Sequence, residues 1–269
     1  MAEPVKRTSL LLALLLAVAL AHAGPAEAAR PTPPGFAPGV APGLIQRLTP
    51  PGRGTATSTN WAGYAAYGGG QPFTTVTASW VQPAVTCPGR DQYASFWVGL
   101  DGYAPGSVTV EQIGTSSDCL GKGQPSHYAW YEMFPAPPVT IPSVPIRPGD
   151  SIRGRVTANG IGFALSIANL TTGRSSSTPQ VGLGAARSSA EWVAEAPTGL
   201  NCGCTLPLAR FGSMQFSGTS TAAGGHIGPI SDGHWQHDKI IMASGGTTKA
   251  SPSGLWFGGA KFGITWYHT

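Results

Sequence analysis

Beyond residue 70 the chain is marked by short runs in which apolar and polar residues alternate, each ended by Gly, Pro, Asn or Ser. The clearest runs cover 75–81, 93–98, 107–113, 127–133, 151–157, 162–167, 190–195 and 213–216, and all are rich in β-branched or aromatic residues. A period of two sends successive side chains to opposite faces of a strand, and short strands punctuated by turns predict an antiparallel sandwich or barrel. After the first 23 residues no run of ten or more shows the 3.6-residue period of an amphipathic helix, and no Gly-rich phosphate loop follows a strand. The expected fold is all-β, with no βαβ units.

The N-terminus reads differently. Lys6 and Arg7 precede an apolar run from Leu10 to Ala21 and the small-residue exit Ala21-His-Ala23. That is the pattern of a signal peptide over 1–23, and the run is too short for a permanent membrane span. Residues 24–54 are dense in Pro and Gly without apolar periodicity, a composition that buries no core of its own, and read as a leader, either linker or prosegment. Residues 55–269 then form one domain, of a size β-sandwiches commonly reach.

The net charge of +4 comes mostly from the leader. Lys6, Arg7, Arg30, Arg47 and Arg53, against Glu3 and Glu27, lie before residue 55, so the rest of the chain is near neutral and offers no argument for nucleic-acid binding. Carboxylates are few there, which leaves little to be lost when native-state carboxylates are protonated and fits an acidic working environment. The cysteines, Cys87, Cys119, Cys202 and Cys204, fall in the exported part, where disulfides form. Of three possible pairings, Cys87–Cys119 with Cys202–Cys204 is expected. Neither HExxH nor paired CxxC spacing occurs, so no metal and no cofactor is expected.

Gly-x-Ser-x-Gly is absent. His127, His226, His234, His237 and His268 are bases in principle for a serine triad assembled without that motif, although His234-Trp-Gln-His237 reads as structural. Glu191 and Glu195 share a strand face with Val193. As a glycosidase pair they would stand about 13 Å apart in a regular strand, too far for the retaining arrangement of about 5 Å. Gln112 shares its strand face with Val108 and Val110, which makes it either a core amide or a polar group aimed into a cleft, while Glu111 points the other way.

Several short motifs then occur in order: Asn60-Trp-Ala-Gly63, Trp97-Val-Gly-Leu-Asp-Gly102, Glu111-Gln-Ile-Gly-Thr115, Ala129-Trp-Tyr-Glu-Met-Phe-Pro135, Pro148-Gly-Asp-Ser-Ile152, Asn169-Leu-Thr-Thr-Gly173 and Ala190-Glu-Trp-Val-Ala-Glu195. Together they resemble the glutamic peptidase (eqolisin) family over residues 58–220, and more loosely to Thr269. The resemblance implies two large antiparallel sheets packed face to face, with substrate across the concave one. It further implies an acid endopeptidase with a dyad of Gln112 and Glu195, Glu191 as neighbour, and Trp61, Trp97, Asp101 and Glu132 lining or supporting the cleft. It implies protein or peptide substrates, insensitivity to inhibitors of paired aspartates, and a secreted monomer that binds neither membrane nor nucleic acid. The competing class is a non-catalytic binding module using its tryptophans to hold sugar or peptide. Asn169-Leu-Thr171 is a glycosylation sequon.

Overall fold

The long strands are β1 (Trp61–Tyr67), β2 (Phe73–Val81), β3 (Gln92–Leu100), β4 (Val110–Cys119), β5 (Ser126–Phe134), β6 (Ser151–Asn159), β7 (Gly162–Asn169), β8 (Arg174–Val181), β9 (Ser189–Glu195), β10 (Ser213–Ala223), β11 (Gln236–Ser244), β12 (Thr247–Pro252) and β13 (Lys261–Trp266). They come from a computed structural model describing Met1 and residues 35–37 and 39–269. Apart from Met1, the expected signal peptide lies outside the described residues. Residues 33–269 group as one compact unit. Among the described residues a single 3-10 turn, Phe257–Gly259, interrupts the strands, and no helix is long and apolar enough to cross a membrane.

Neighbouring strands run β8-β7-β6-β2-β10-β13-β12-β11-β1-β9-β3-β4-β5, every pair antiparallel. The two expected layers are therefore one continuous ladder folded over at β12, with β8 to β13 in one layer and β11 to β5 in the other. Between the layers lies the main core, where Trp80, Phe96, Val98, Ile113, Val156, Trp192 and Phe216 interdigitate. The second layer is covered on its other face too, by a smaller aromatic cluster of Trp61, Trp97, Tyr103, Tyr128, Trp130, Val193 and Ile240.

Burial on both faces explains where the pattern reading stopped short. In β1, β3, β4 and β9 nearly every residue is buried, so alternation disappears. Ser107 caps a turn by accepting the Gly102 amide and donating to the Thr109 carbonyl, so β4 starts at Val110 instead of Ser107, and Val108 is exposed. Its polar second half stays in the ladder because each side chain finds a partner. Trp80 Nε1 donates to Thr115, Ser116 pairs with Ser95, Gln82 donates to Ser117, and Tyr128 donates to Asp118 at 2.6 Å. A buried polar group is tolerable once hydrogen-bonded. β8, which the pattern reading did not single out, is an edge strand, a position that tolerates Pro179.

The structure joins Cys87 to Cys119 and Cys202 to Cys204. Asn169 of the sequon is buried, and its Nδ2 is committed to the Pro145 carbonyl (2.9 Å) and Asp150 Oδ2 (2.8 Å). Both amide hydrogens are thus in use, leaving none for a glycan in the folded chain. The leader also departs from expectation: Val40–Gly43 are buried, because the rest of the molecule supplies partners for their main chain.

Candidate active site

The site lies on the aromatic face of the second layer. Register puts Glu191, Gly99, Gln112 and Glu132 in one row across β9, β3, β4 and β5, while Val193, Trp97, Gly114 and Trp130 form the next. Gly114, in the Gln-x-Gly pattern, is required by close approach. A Cβ there would lie 2.5 Å from Trp97 Cβ and 2.3 Å from the Phe96 carbonyl oxygen, so only glycine lets β4 pass the Trp97 side chain.

Glu195, at the end of β9, is 0 % exposed. Trp97 Nε1 donates to its Oε2 at 2.8 Å, while the Gly43 amide (3.1 Å) and Asn60 Nδ2 (3.4 Å) donate to Oε1. Burial pushes this carboxyl well above its ordinary value, and the donors pull the other way by favouring the ionised form. Trp61 packs edge-on against Trp97, 4.9 Å between centroids, and its own indole N–H reaches the Gly43 carbonyl.

Gln112 is fully buried; its Nε2 donates to Glu132 Oε2 at 2.6 Å, while its Oε1 has no partner among the described residues. Burial raises the Glu132 carboxyl well above the usual range, and the charge of Glu195 raises it further. Glu132 thus holds Gln112 by a hydrogen bond and feels the charge of Glu195.

The remaining acids form a separate group. Burial raises Glu191 well above its ordinary value, as do the nearby charges of Asp101 and Glu111, and its carboxylate oxygens accept no geometrically sound hydrogen bond. Glu191 thus sits with Asp101 and Glu111. Asp101, with φ +67°, accepts the Arg187 amide, the Ser188 amide and the Ser188 hydroxyl at 2.6–2.7 Å, so it fastens the turn leading into β9. Burial and the Asp101 charge push Glu111 up to about 8. The sequence reading passed over Glu111 as lying on the other strand face, and missed the contact of Gly43 with Glu195.

Other chemistries find less support. Ser117 Oγ lies 2.8 Å from His127 Nδ1, but no carboxylate meets the imidazole among the described residues, and burial lowers the His127 pKa. His226, Asp232 and His234 have metal-ligand spacing. Their imidazoles stack at 3.5 Å with planes 23° apart, and each meets one Asp232 oxygen, at 3.0 and 2.8 Å. One Asp232 carboxylate thus bridges a stacked histidine pair. Both disulfides remove their thiols from metal binding.

Comparison with known proteins bears on the family and the fold. Residues 59–251 match the profile of the Peptidase A4 family. Scytalidopepsin B of Scytalidium lignicola is 29 % identical over 205 residues, covering 72 % of this chain and 75 % of that protein. The crystal structure of scytalido-glutamic peptidase with a transition state analog inhibitor superimposes with a TM-score of 0.66 at 24 % identity, over 78 % of this chain and 98 % of the other. Aspergilloglutamic peptidase from Aspergillus niger gives 0.56 at 27 % identity, over 65 % and 99 %. The chain therefore belongs to the Peptidase A4 family, the glutamic peptidases or eqolisins.

Proposed function

We propose that this peptidase is an exported acid endopeptidase in which Glu195 and Gln112 act together on a water molecule. The observation that carries the reading is the presence, on one concave face, of a buried carboxylate held by indole and amide donors and a buried glutamine whose oxygen no group among the described residues satisfies.

Peptide hydrolysis needs a base for the water, a donor for the developing oxyanion and an acid for the departing amine. Glu195 serves first as base and then, carrying the proton it has taken, as acid. A primary amide offers two donors and an acceptor. Glu132 takes one donor of Gln112, which leaves the other N–H for the oxyanion and Oε1 to hold the water. Glu132 is thus a positioning residue. Glu195 works as base only when ionised, the form its indole and amide donors favour against burial, and a second charge on Glu132, added as pH rises, opposes that state. Loss of activity with rising pH is the expected direction. Glu191 and Asp101 support β9 from outside the dyad, and Trp61 and Trp97 orient Glu195. The chain would work as a monomer on proteins or peptides, without metal, membrane or nucleic acid.

Digestion of a denatured protein across acidic to neutral pH, with Glu195→Gln as control, tests the reading. Cleavage at low pH, lost in the variant and unaffected by inhibitors of paired aspartates, is expected. A variant that keeps most of the activity would remove the mechanism, whereas no cleavage at any pH by the folded chain freed of its leader would favour the binding-module reading.

A further inference from the structure

Lys249 is a cation that the fold buries and leaves without a counter-charge. It is 7 % exposed, burial lowers the pKa of its ammonium group with no neighbouring charge to offset the effect, and no ion pair reaches it among the described residues. An uncompensated buried charge is costly, so such a group calls for a partner from outside the chain. β12 is built around it. Ala250 and Thr248 pair with Met242 and Ala243, and Lys249 bulges out between them. A bulge of this kind re-aims one side chain away from the regular pleat. The Tyr267 and His268 amides both donate to the Lys249 carbonyl, at 2.8 and 3.1 Å, which clamps the bulge in place.

Lys249 lines a cleft of about 680 Å³ together with Arg90, His268, Trp266, Thr205 and Thr247, and no Asp or Glu side chain lines it. Thr269 lines it too, its hydroxyl accepting from Gln92 Nε2 at 3.1 Å, and among the described residues its α-carboxylate enters no ion pair. Trp266 carries Arg210 over its ring, 5.4 Å from the centroid, and its buried indole N–H has no acceptor among the described residues. Basic groups, hydroxyls and an unused N–H make a donor set that suits an oxyanion. One wall of the cleft belongs to the chain leaving β9. The Leu206 amide donates to the Pro197 carbonyl at 2.9 Å, just beyond Glu195, and the Thr205 hydroxyl lies 2.9 Å from that of Thr59, next to the Asn60 that reaches Glu195.

We propose that this cleft is a carboxylate-binding site for peptides, with Lys249 as its buried cation and Arg90 at its exposed rim. A peptide is the ligand because the cleft shares a wall with the segment leaving Glu195, and because each cut by a peptidase leaves a new carboxylate. That source rests on the proposed function, whereas the anion site itself does not. The carboxylate comes either from an acidic side chain within a peptide or from a chain end.

The test is calorimetric titration of the full chain carrying Glu195→Gln, so that no peptide is consumed, at about pH 5, where peptide carboxylates are ionised. The probes are acetyl-Ala-Ala-Glu-amide, acetyl-Ala-Ala-Ala with a free carboxyl end, neutral acetyl-Ala-Ala-Gln-amide and inorganic phosphate. At least one charged peptide should bind about tenfold or more tightly than the neutral one, and salt should shrink that preference. Binding of the glutamate peptide alone assigns the site to acidic side chains, and binding of the free acid alone assigns it to chain ends. Lys249→Met swaps the buried cation for an apolar residue of similar length and should erase the preference, while Arg90→Gln should weaken charged-peptide binding by about two- to fivefold. Equal binding of charged and neutral peptides, or a preference that survives Lys249→Met, would overturn the proposal. So would binding of phosphate with neither charged peptide bound, which makes the cleft a site for small anions only. Should Lys249→Met not fold, an unchanged preference in Arg90→Gln decides against it. With Glu195 intact, Lys249→Met should raise KM for a glutamate-bearing substrate relative to its glutamine twin. Peptide binding by a chain that cleaves nothing would fail the catalytic reading of Glu195 and leave the carboxylate site standing.

Discussion

Glu195 and Gln112 are both fully buried, yet their surroundings differ in a way that assigns their work. Every hydrogen-bond partner of Glu195 is a neutral donor, which favours its ionised form without a cation, whereas Gln112 is gripped from one side only, by Glu132. Removing an oxyanion donor lowers kcat by about 10²–10³. Gln112→Ala should do at least that, read as kcat on a peptide substrate. Glu132→Gln keeps an acceptor for Gln112 and should retain most activity with a weaker fall toward neutral pH, while Glu132→Leu should lower kcat at little change in KM. Asp101→Ala should act on stability instead. It strips three donors at the Arg187–Ser188 turn and should shift the urea midpoint by the equivalent of about 2–3 kcal/mol.

At the scale of elements, the Gln112 strand is fixed at both ends. The bond Cys87–Cys119 ties its last residue to a chain position 32 residues earlier, and Gly114 sets its distance from β3. A loop of that length implies about 3–4 kcal/mol of stabilisation from the cross-link, whereas the ring closed by Cys202–Cys204 spans two residues and constrains little. Replacing Cys87 and Cys119 by Ser should therefore lower the thermal midpoint clearly and the Cys202/Cys204 pair scarcely at all, a contrast that calorimetry reads directly. Gly114→Ala forces β4 off β3 and should abolish activity even where far-ultraviolet circular dichroism still reports strands.

Across the whole molecule the buried carboxyls set a pH profile opposite to that of most proteins. Burial lifts Glu111 from 4.5 to about 8, and Asp118 from 3.8 to about 7 against the pull of the Tyr128 hydroxyl. Such groups keep their protons in the folded chain while the unfolded chain gives them up. Stability is thus fully present below about pH 4 and is lost as pH rises toward about 7–8. Each tenfold difference in proton affinity between the folded and unfolded chain corresponds to about 1.4 kcal/mol. Urea midpoints should accordingly be highest near pH 4 and fall by several kcal/mol equivalents at neutral pH, and Glu111→Gln should flatten that slope. A profile that rises with pH would contradict these assignments.

Short alternating runs ended by turn residues determined the all-β fold, and an ordered set of local motifs determined the family. Both are properties of neighbours in the chain, and Gln112 and Glu195 could be named because each stands inside such a motif. The polar half of β4 and the Ala-rich β1 were hidden, since they are strands by virtue of partners on both faces that no local pattern reveals. The division of the acids, Glu195 with Glu132 and Glu191 with Asp101 and Glu111, depends on which strands lie side by side. So does the seating of the leader on Glu195. A Pro/Gly-rich stretch has no periodicity to announce a partner, and its main-chain donors and acceptors find theirs only on the finished concave face.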